Sequence, residues 1–512
     1  MQRRDVSKLL LASVAGSAAL TSRAQAQTCT PPCYPQTASE LAASITPVDT
    51  SFPPGNVKRY GAIGKINADK TWPDDHVAIQ KAIDSGAGVV FFPNGTYKIG
   101  APLRIKPVST QNLTLLGEGR TNTYLAPLHP SIADDLGQNA MIINQAGNGK
   151  LTIRNLRFWG GGDPGDLPYT GSAIYAVEGG CNDHSGQAIF SGSIDNCWFD
   201  LGNTSKPVFV GGLNNYRVSN CTFENAIGCF FRQGLGMGDV TFSNNVTKSC
   251  YDAFYDGMSD AIGDNIITID GLHVYSHLRG QVIRTQNSTS WIVSNVIVQA
   301  DTSSTTVGLF SFTNCSNIVC SNFNAAKVTV FGGSGALGEA ITINSSSVKL
   351  SNGIIDGATF GVRLTGNGQT TLTIADVDIV NSSLAAFAVQ NGSPSGRVTV
   401  HHCNWSDASG NIIVFTNAAN FDMFVSNCRL MNAGLTTSGG RNINIATRGT
   451  VYFDDCVIGQ NNFNAQAAFY IDAAGTGTVT IRRPVFLGTP PSGTKTGSQP
   501  VSLISDPAAT TL

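Results

Sequence analysis

Asp252, Asp256, Asp260 and Asp264 crowd into one stretch of the chain, with Tyr251 and Tyr255 among them and His273, His277 and Arg279 just beyond. Carboxyl groups in pairs hydrolyse glycosidic bonds when they stand about 5–5.5 Å apart (retention) or about 6.5–9.5 Å apart (inversion). Asp252 and Asp256 are four residues apart, roughly 13 Å along an extended strand, which is too far to cooperate. A hydrolytic pair therefore needs Asp260 or Asp264, brought back by a turn of segment 257–264. Solvated loop polarity is the plainer reading of either one alone. Arg232, Asp256 and Arg284 follow one another at intervals of 24 and 28 residues. Stacked, they would alternate plus, minus, plus, and the aspartate between two arginines would stay ionised. Such a column is either a structural ionic ladder or a cleft floor whose arginines fork onto a sugar carboxylate or sulfate. Tyr255, Trp159 and Tyr169 offer rings for stacking on sugars. Asp183 and His184 add polar groups in the long excursion between Ile153 and Ile194. Part of that excursion (173–177 and 188–190) also reads as strand.

The elements that must position these residues announce themselves by repetition. A phrase of the form apolar–x–Asn–Cys–x–apolar reads Ile194-Asp-Asn-Cys-Trp-Phe199 and Val218-Ser-Asn-Cys-Thr-Phe223. It loosens from Phe242 to Ile374 and sharpens again at Val400, Val425 and Phe453. Successive starts are 24 to 30 residues apart. That period, carried by β-favouring residues, marks a solenoid. A second phase runs beside it: Phe230-Phe231-Arg232, Phe254-Tyr255-Asp256, Val282-Ile283-Arg284 and later echoes as far as Phe387-Ala388-Val389. The expected fold is all-β, a right-handed parallel β-helix of roughly 10–13 turns. Asn at the third place (Asn155, Asn196, Asn220, Asn244, Asn295, Asn322, Asn352, Asn427) suits a sharp left-handed corner. His402 takes the same place and reads as structural. The next position points inward, so Cys197, Cys221, Cys403, Cys428 and Cys456 read as a ladder of packed free thiols. No spacing marks a metal site.

Composition sets limits. The 512 residues include 56 glycines, only 13% are charged, and the net charge is −2. Without a basic run, nucleic acid is not an expected partner. Arg3-Arg4-Asp-Val-Ser-Lys8, the apolar run Leu9 to Leu20 and Ala24-Gln-Ala26 read as a signal peptide over 1–26, of twin-arginine type. The expected location is the periplasm or the medium, with no membrane insertion. Residues 27–52 read as a linker with a Cys29–Cys33 disulfide, 53–485 as the β-helix, and 486–512 as an irregular tail.

Three segments then resemble a known family. Val57-Lys-Arg-Tyr-Gly-Ala62, Asp74-Asp-His-Val-Ala-Ile-Gln-Lys-Ala-Ile83 and Gly88-Val-Val-Phe-Phe-Pro-Asn-Gly-Thr-Tyr97 look like the opening of the pectate-lyase-like superfamily, in the branch of rhamnogalacturonases, epimerases and family-28-related glycosidases. Within the block, Asp74 is expected to N-cap a helix that closes the open end of the coil. The Gly-His-Gly motif of family-28 polygalacturonases is missing, and Arg104-Ile-Lys106 lies too early in the chain, so that catalytic set does not carry over. The resemblance and the carboxylates together lead to an expected exported enzyme that cleaves an extracellular polysaccharide, a glycoside hydrolase using Asp256 with Asp252, Asp260 or Asp264. No cofactor is expected. The alternatives are a lyase on a uronate polymer, with Arg284 or His277 as base and Ca²⁺ as a possible aid, and a non-catalytic carbohydrate-binding surface protein.

Overall fold

The computed structural model describes residues 33–504 except 106–111, 134–138, 145–148, 161–174, 180–189, 203–205, 211–212, 234–237, 258–265, 278, 301–305, 327–338, 391, 416–419, 434–440, 446–447, 460–466, 472–477, 488–494 and 497–500. Among the described residues the chain winds into a coil in which every strand pairs in parallel with its equivalent one turn away, forming one 27-stranded and one 15-stranded sheet. One turn shows the plan. Phe190–Asp195 runs to a corner at Asn196, Trp198–Asp200 leaves it, and Val208–Val210 returns along the second sheet. The next turn repeats this with Leu213–Ser219, Asn220, Thr222–Glu224 and Gly228–Gln233, placing Ile194 beside Val218, Phe199 beside Phe223 and Val208 beside Phe230.

The core follows from that register. Alternate residues point inward, so like meets like from turn to turn. Phe158, Phe199 and Phe223 stack with centroids 4.9 and 4.8 Å apart, and the apolar positions opening each phrase are buried. The corners match the sequence reading. All eight named asparagines have φ between 52° and 58°, and His402 takes φ 56°. Asparagine tolerates this region, which costs other side chains about 1–2 kcal/mol. The Asn196 amide donates to Asn155 Oδ1 at 2.8 Å, whereas Asn220 turns to Asp195 Oδ1 at 2.7 Å. Cys197, Cys221, Cys403, Cys428 and Cys456 are buried and free, as are Cys229, Cys250, Cys315 and Cys320.

The ends depart from expectation in three places. The closing helix is His76–Asp84, with Asp75 at its N-cap; Asp74 instead accepts the N–H groups of His76 and Gly100, both at 2.9 Å. Part of the expected linker is docked rather than extended. Its helix Ala38–Ala42 sends Glu40 into a buried pair with Arg59 (2.7 Å), and Tyr60 Oη donates to the same carboxylate at 2.8 Å. Within the expected tail, Lys495–Thr496 and Val501–Ile504 add strands to the two sheets. Cys33 is disulfide-bonded; Cys29, its expected partner, lies outside the described residues.

Candidate functional site

The second sheet sorts the charged residues into two classes. Arg232 is beside Asp256, but Asp256 is beside Thr285, and Arg284 is beside Tyr255. The expected column Arg232–Asp256–Arg284 is therefore corrected. Twenty-nine residues separate Phe254 from its partner Ile283, one more than the interval of 28 between Asp256 and Arg284, and in a strand a one-residue slip reverses the face. Arg232 and Asp256 point into the coil. Arg232 Nε donates to Asp256 Oδ1 at 2.8 Å and Nη2 to Oδ2 at 3.1 Å, and Thr285 Oγ1 donates to Oδ2 at 3.4 Å. The two side chains are 1% and 0% exposed. Sealed in this way, Asp256 cannot reach a polysaccharide, and the expectation that it catalyses is overturned by its burial.

Arg284 faces outward. Its Cζ lies 5.3 Å from the Tyr255 ring centre, Tyr255 stacks on Phe231 at 4.2 Å, and Lys206 Nζ sits 3.8 Å from the Phe231 ring centre. Beside this ladder, at the strand starts, opens a groove of ≈ 550 Å³ lined by Tyr251, Asp252, Gln281, Arg284, Glu339 and Thr342 among others. The Gln281 backbone N–H donates to Asp252 Oδ1 at 3.2 Å. Gly280, at φ 88°, passes so close that a Cβ there would lie 2.9 Å from the same oxygen. Burial pushes the Asp252 carboxyl up to about 6, against the opposing pull of the Arg284 charge and the Gln281 N–H. At the far end, Glu339 pairs with Arg363 and accepts from Thr342 Oγ1 at 2.5 Å. Three strand steps separate Asp252 from Glu339, about 14 Å between backbones.

Glu339, Gln281, Lys206 and Arg363 were not singled out from the sequence. A signal for Glu339 existed, since the chain contains only five glutamates. Trp159 is 6% exposed, not an open stacking platform; the Arg157 guanidinium lies 5.1 Å from its ring centre and 3.9 Å from that of Trp198. His277 closes the strand His273–His277 and Arg279 opens the strand Arg279–Gln286. Tyr169, Asp183, His184, Asp260 and Asp264 lie outside the described residues. Part of the excursion holding the first three is indeed a rung, Tyr175–Gly179. Among the described residues, no three His, Cys, Asp or Glu side chains gather as a metal site would require, and no helix is long and apolar enough to cross a membrane.

Residues 339–500 match the family model described as a right handed beta helix region. The fold is a right-handed parallel β-helix. No curated protein matches the chain. Among solved structures, it is similar to the catalytic unit of a GH87 alpha-1,3-glucanase from Streptomyces thermodiastaticus, at 15% identity over 89% of this chain and 69% of that one, TM-score 0.31. A mannuronan C-5 epimerase A-module from Azotobacter vinelandii shares 15% identity over 88% of this chain and 99% of its own, TM-score 0.32. Tailspike protein 3 of bacteriophage CBA120 shares 9% over 89% and 60%, TM-score 0.43.

Proposed function

We propose that this β-helix is an exported enzyme that cleaves an extracellular polysaccharide in the groove of Asp252, which serves as its proton-transfer residue. One observation carries the reading. A carboxyl whose pKa is raised to about 6, towards the neutral range in which a general acid or base must exchange protons, opens onto the same groove as the exposed cation Arg284. That pair suits elimination from a uronate. Arg284 takes the sugar carboxylate and so acidifies C5–H, and Asp252 takes the C5 proton. The C4–O bond breaks as the C4–C5 double bond forms, and the departing oxygen recovers a proton from Asp252.

Hydrolysis is the second reading, supported by Glu339 in the same groove. It needs a partner carboxyl within about 9.5 Å of Asp252. Glu339 starts three rungs away and leans on Arg363 in the opposite direction, which is why elimination is preferred. The test is a product screen of the mature protein on neutral and acidic polysaccharides, with and without Ca²⁺. Reducing ends that appear together with ultraviolet absorbance of an unsaturated sugar support elimination, and reducing ends alone support hydrolysis. Neither signal, with retention on glycans, would replace the enzyme by a binding protein.

A further inference from the structure

The outward face of the first sheet carries a groove of its own, of ≈ 680 Å³, away from the strands that hold Asp252. It spans four consecutive rungs, Lys150–Arg154, Phe190–Asp195, Leu213–Ser219 and Val240–Ser243. Short threonines and serines make its floor, and Lys150, Arg154, Asp195, Asn215, Arg217 and Asp239 stand around it. The charges do not cancel. Asp195 is fully engaged, accepting from Arg154 Nη2 at 3.1 Å, Ser219 Oγ at 3.1 Å and Asn220 Nδ2 at 2.7 Å. Asp239 accepts the Ile266 N–H at 3.0 Å. Lys150 and Arg217 are exposed, and among the described residues neither has an ion-pair partner. They sit two rungs apart, about 10 Å along the coil, over a floor of hydroxyls that can bond to sugar oxygens.

We propose that this groove is a second glycan site, which holds a segment of an anionic polysaccharide through Lys150 and Arg217. The shared ligand chemistry is a carboxylate- or sulfate-bearing sugar chain. The site binds without cleaving, and its existence does not depend on chemistry at Asp252. It would keep a polymer on the coil while another part of it enters the catalytic groove.

The test is affinity electrophoresis of the full mature chain in gels containing pectate, dextran sulfate, neutral dextran or duplex DNA. All proteins carry Asp252→Asn so that no polymer is consumed. The site predicts retardation by pectate, dextran sulfate or both, according to whether carboxylate or sulfate is the natural group, and none by neutral dextran. Lys150→Ala/Arg217→Ala should weaken that affinity about tenfold with unchanged thermal unfolding, and Lys150→Arg/Arg217→Lys should restore most of it. Three outcomes overturn the proposal: no retardation of the parent by either polyanion, equal retardation by DNA, or a double alanine variant that runs like the parent. Arg284→Ala separates the two grooves. Loss of binding there, with Lys150→Ala/Arg217→Ala unaffected, would place all binding in the Asp252 groove.

Discussion

Asp252 carries two predictions of opposite sign. As the base it must be ionised, so kcat/KM should rise with pH through an acid limb near 6. Asp252→Asn should cost about 10²–10⁴ in kcat/KM. The same substitution should stabilise the fold at neutral pH. The carboxyl titrates near 6 in the folded state and at about 3.9 unfolded, so the folded state holds its proton more tightly. Below about pH 4 both states are protonated and nothing is gained. Above 6 the folded chain bears a charge that it disfavours, by about 2 kcal/mol after allowance for partial exposure. Urea unfolding of parent and variant at pH 4 and pH 7.5 should show a gap at the higher pH alone, and equal gaps would mean that burial does not shift Asp252. Asp256 behaves the other way. Asp256→Ala leaves Arg232 charged and enclosed and should cost about 3–5 kcal/mol, while the acid limb of the activity profile stays in place. Pairing Arg232→Met with Asp256→Leu should recover most of the loss, as expected of an ion pair with a structural role.

The corner between the first two strands of a turn was legible in the sequence because one conformation demands one residue type. A left-handed residue between two pleated strands calls for asparagine, and eight asparagines at one period leave little else to infer. Asn220 divides this into backbone and side-chain parts. Asn220→Ala loses both the tolerated φ of 58° and the amide bond to Asp195, and should cost about 1–2 kcal/mol. Asn220→Gly keeps the backbone freedom and should cost about half as much, read as midpoint shifts in urea; equal losses would assign the whole effect to the amide bond. The site was less legible for the same geometric reason. Side-chain direction in a strand has period two, so one extra residue between Tyr255 and Arg284 put the arginine outside the coil and left Asp256 inside. Periodicity locates strands to within a residue or two, and faces need better than that. Asp252 was named from its neighbours' chemistry. Glu339 belongs to a strand three rungs on, and no spacing rule links it to Asp252 until the register is known.

Stacking equivalent residues also explains how the coil keeps its thiols. Among the described residues nine cysteines are free and buried, several at matching inward places of adjacent turns, and the Cys403 N–H donates to Cys428 Sγ at 3.4 Å. Burial raises the Cys221, Cys229 and Cys320 thiols and pushes Cys456 up to about 11, which suppresses the reactive thiolate. Folded, the coil should resist soluble oxidants because all nine described thiols are buried, including Cys403, whose thiol pKa the Cys428 hydrogen bond lowers. Unfolded in an oxidising compartment, the same chain offers twelve cysteines for mispairing. A chain carried by the proposed twin-arginine signal, which exports folded proteins, would cross the membrane with these thiols already buried. A soluble thiol reagent should leave the nine described cysteines of the native protein unmodified and label them all in denaturant. Replacing the signal with one that threads unfolded chains should yield disulfide-scrambled product, with at least a tenfold loss of native protein. Cys→Val at the stacked positions 197, 221, 403, 428 and 456 should restore that yield, since a small apolar residue fits the same inward place. Equal yields by both routes, each with nine free thiols, would separate the ladder from the choice of export path.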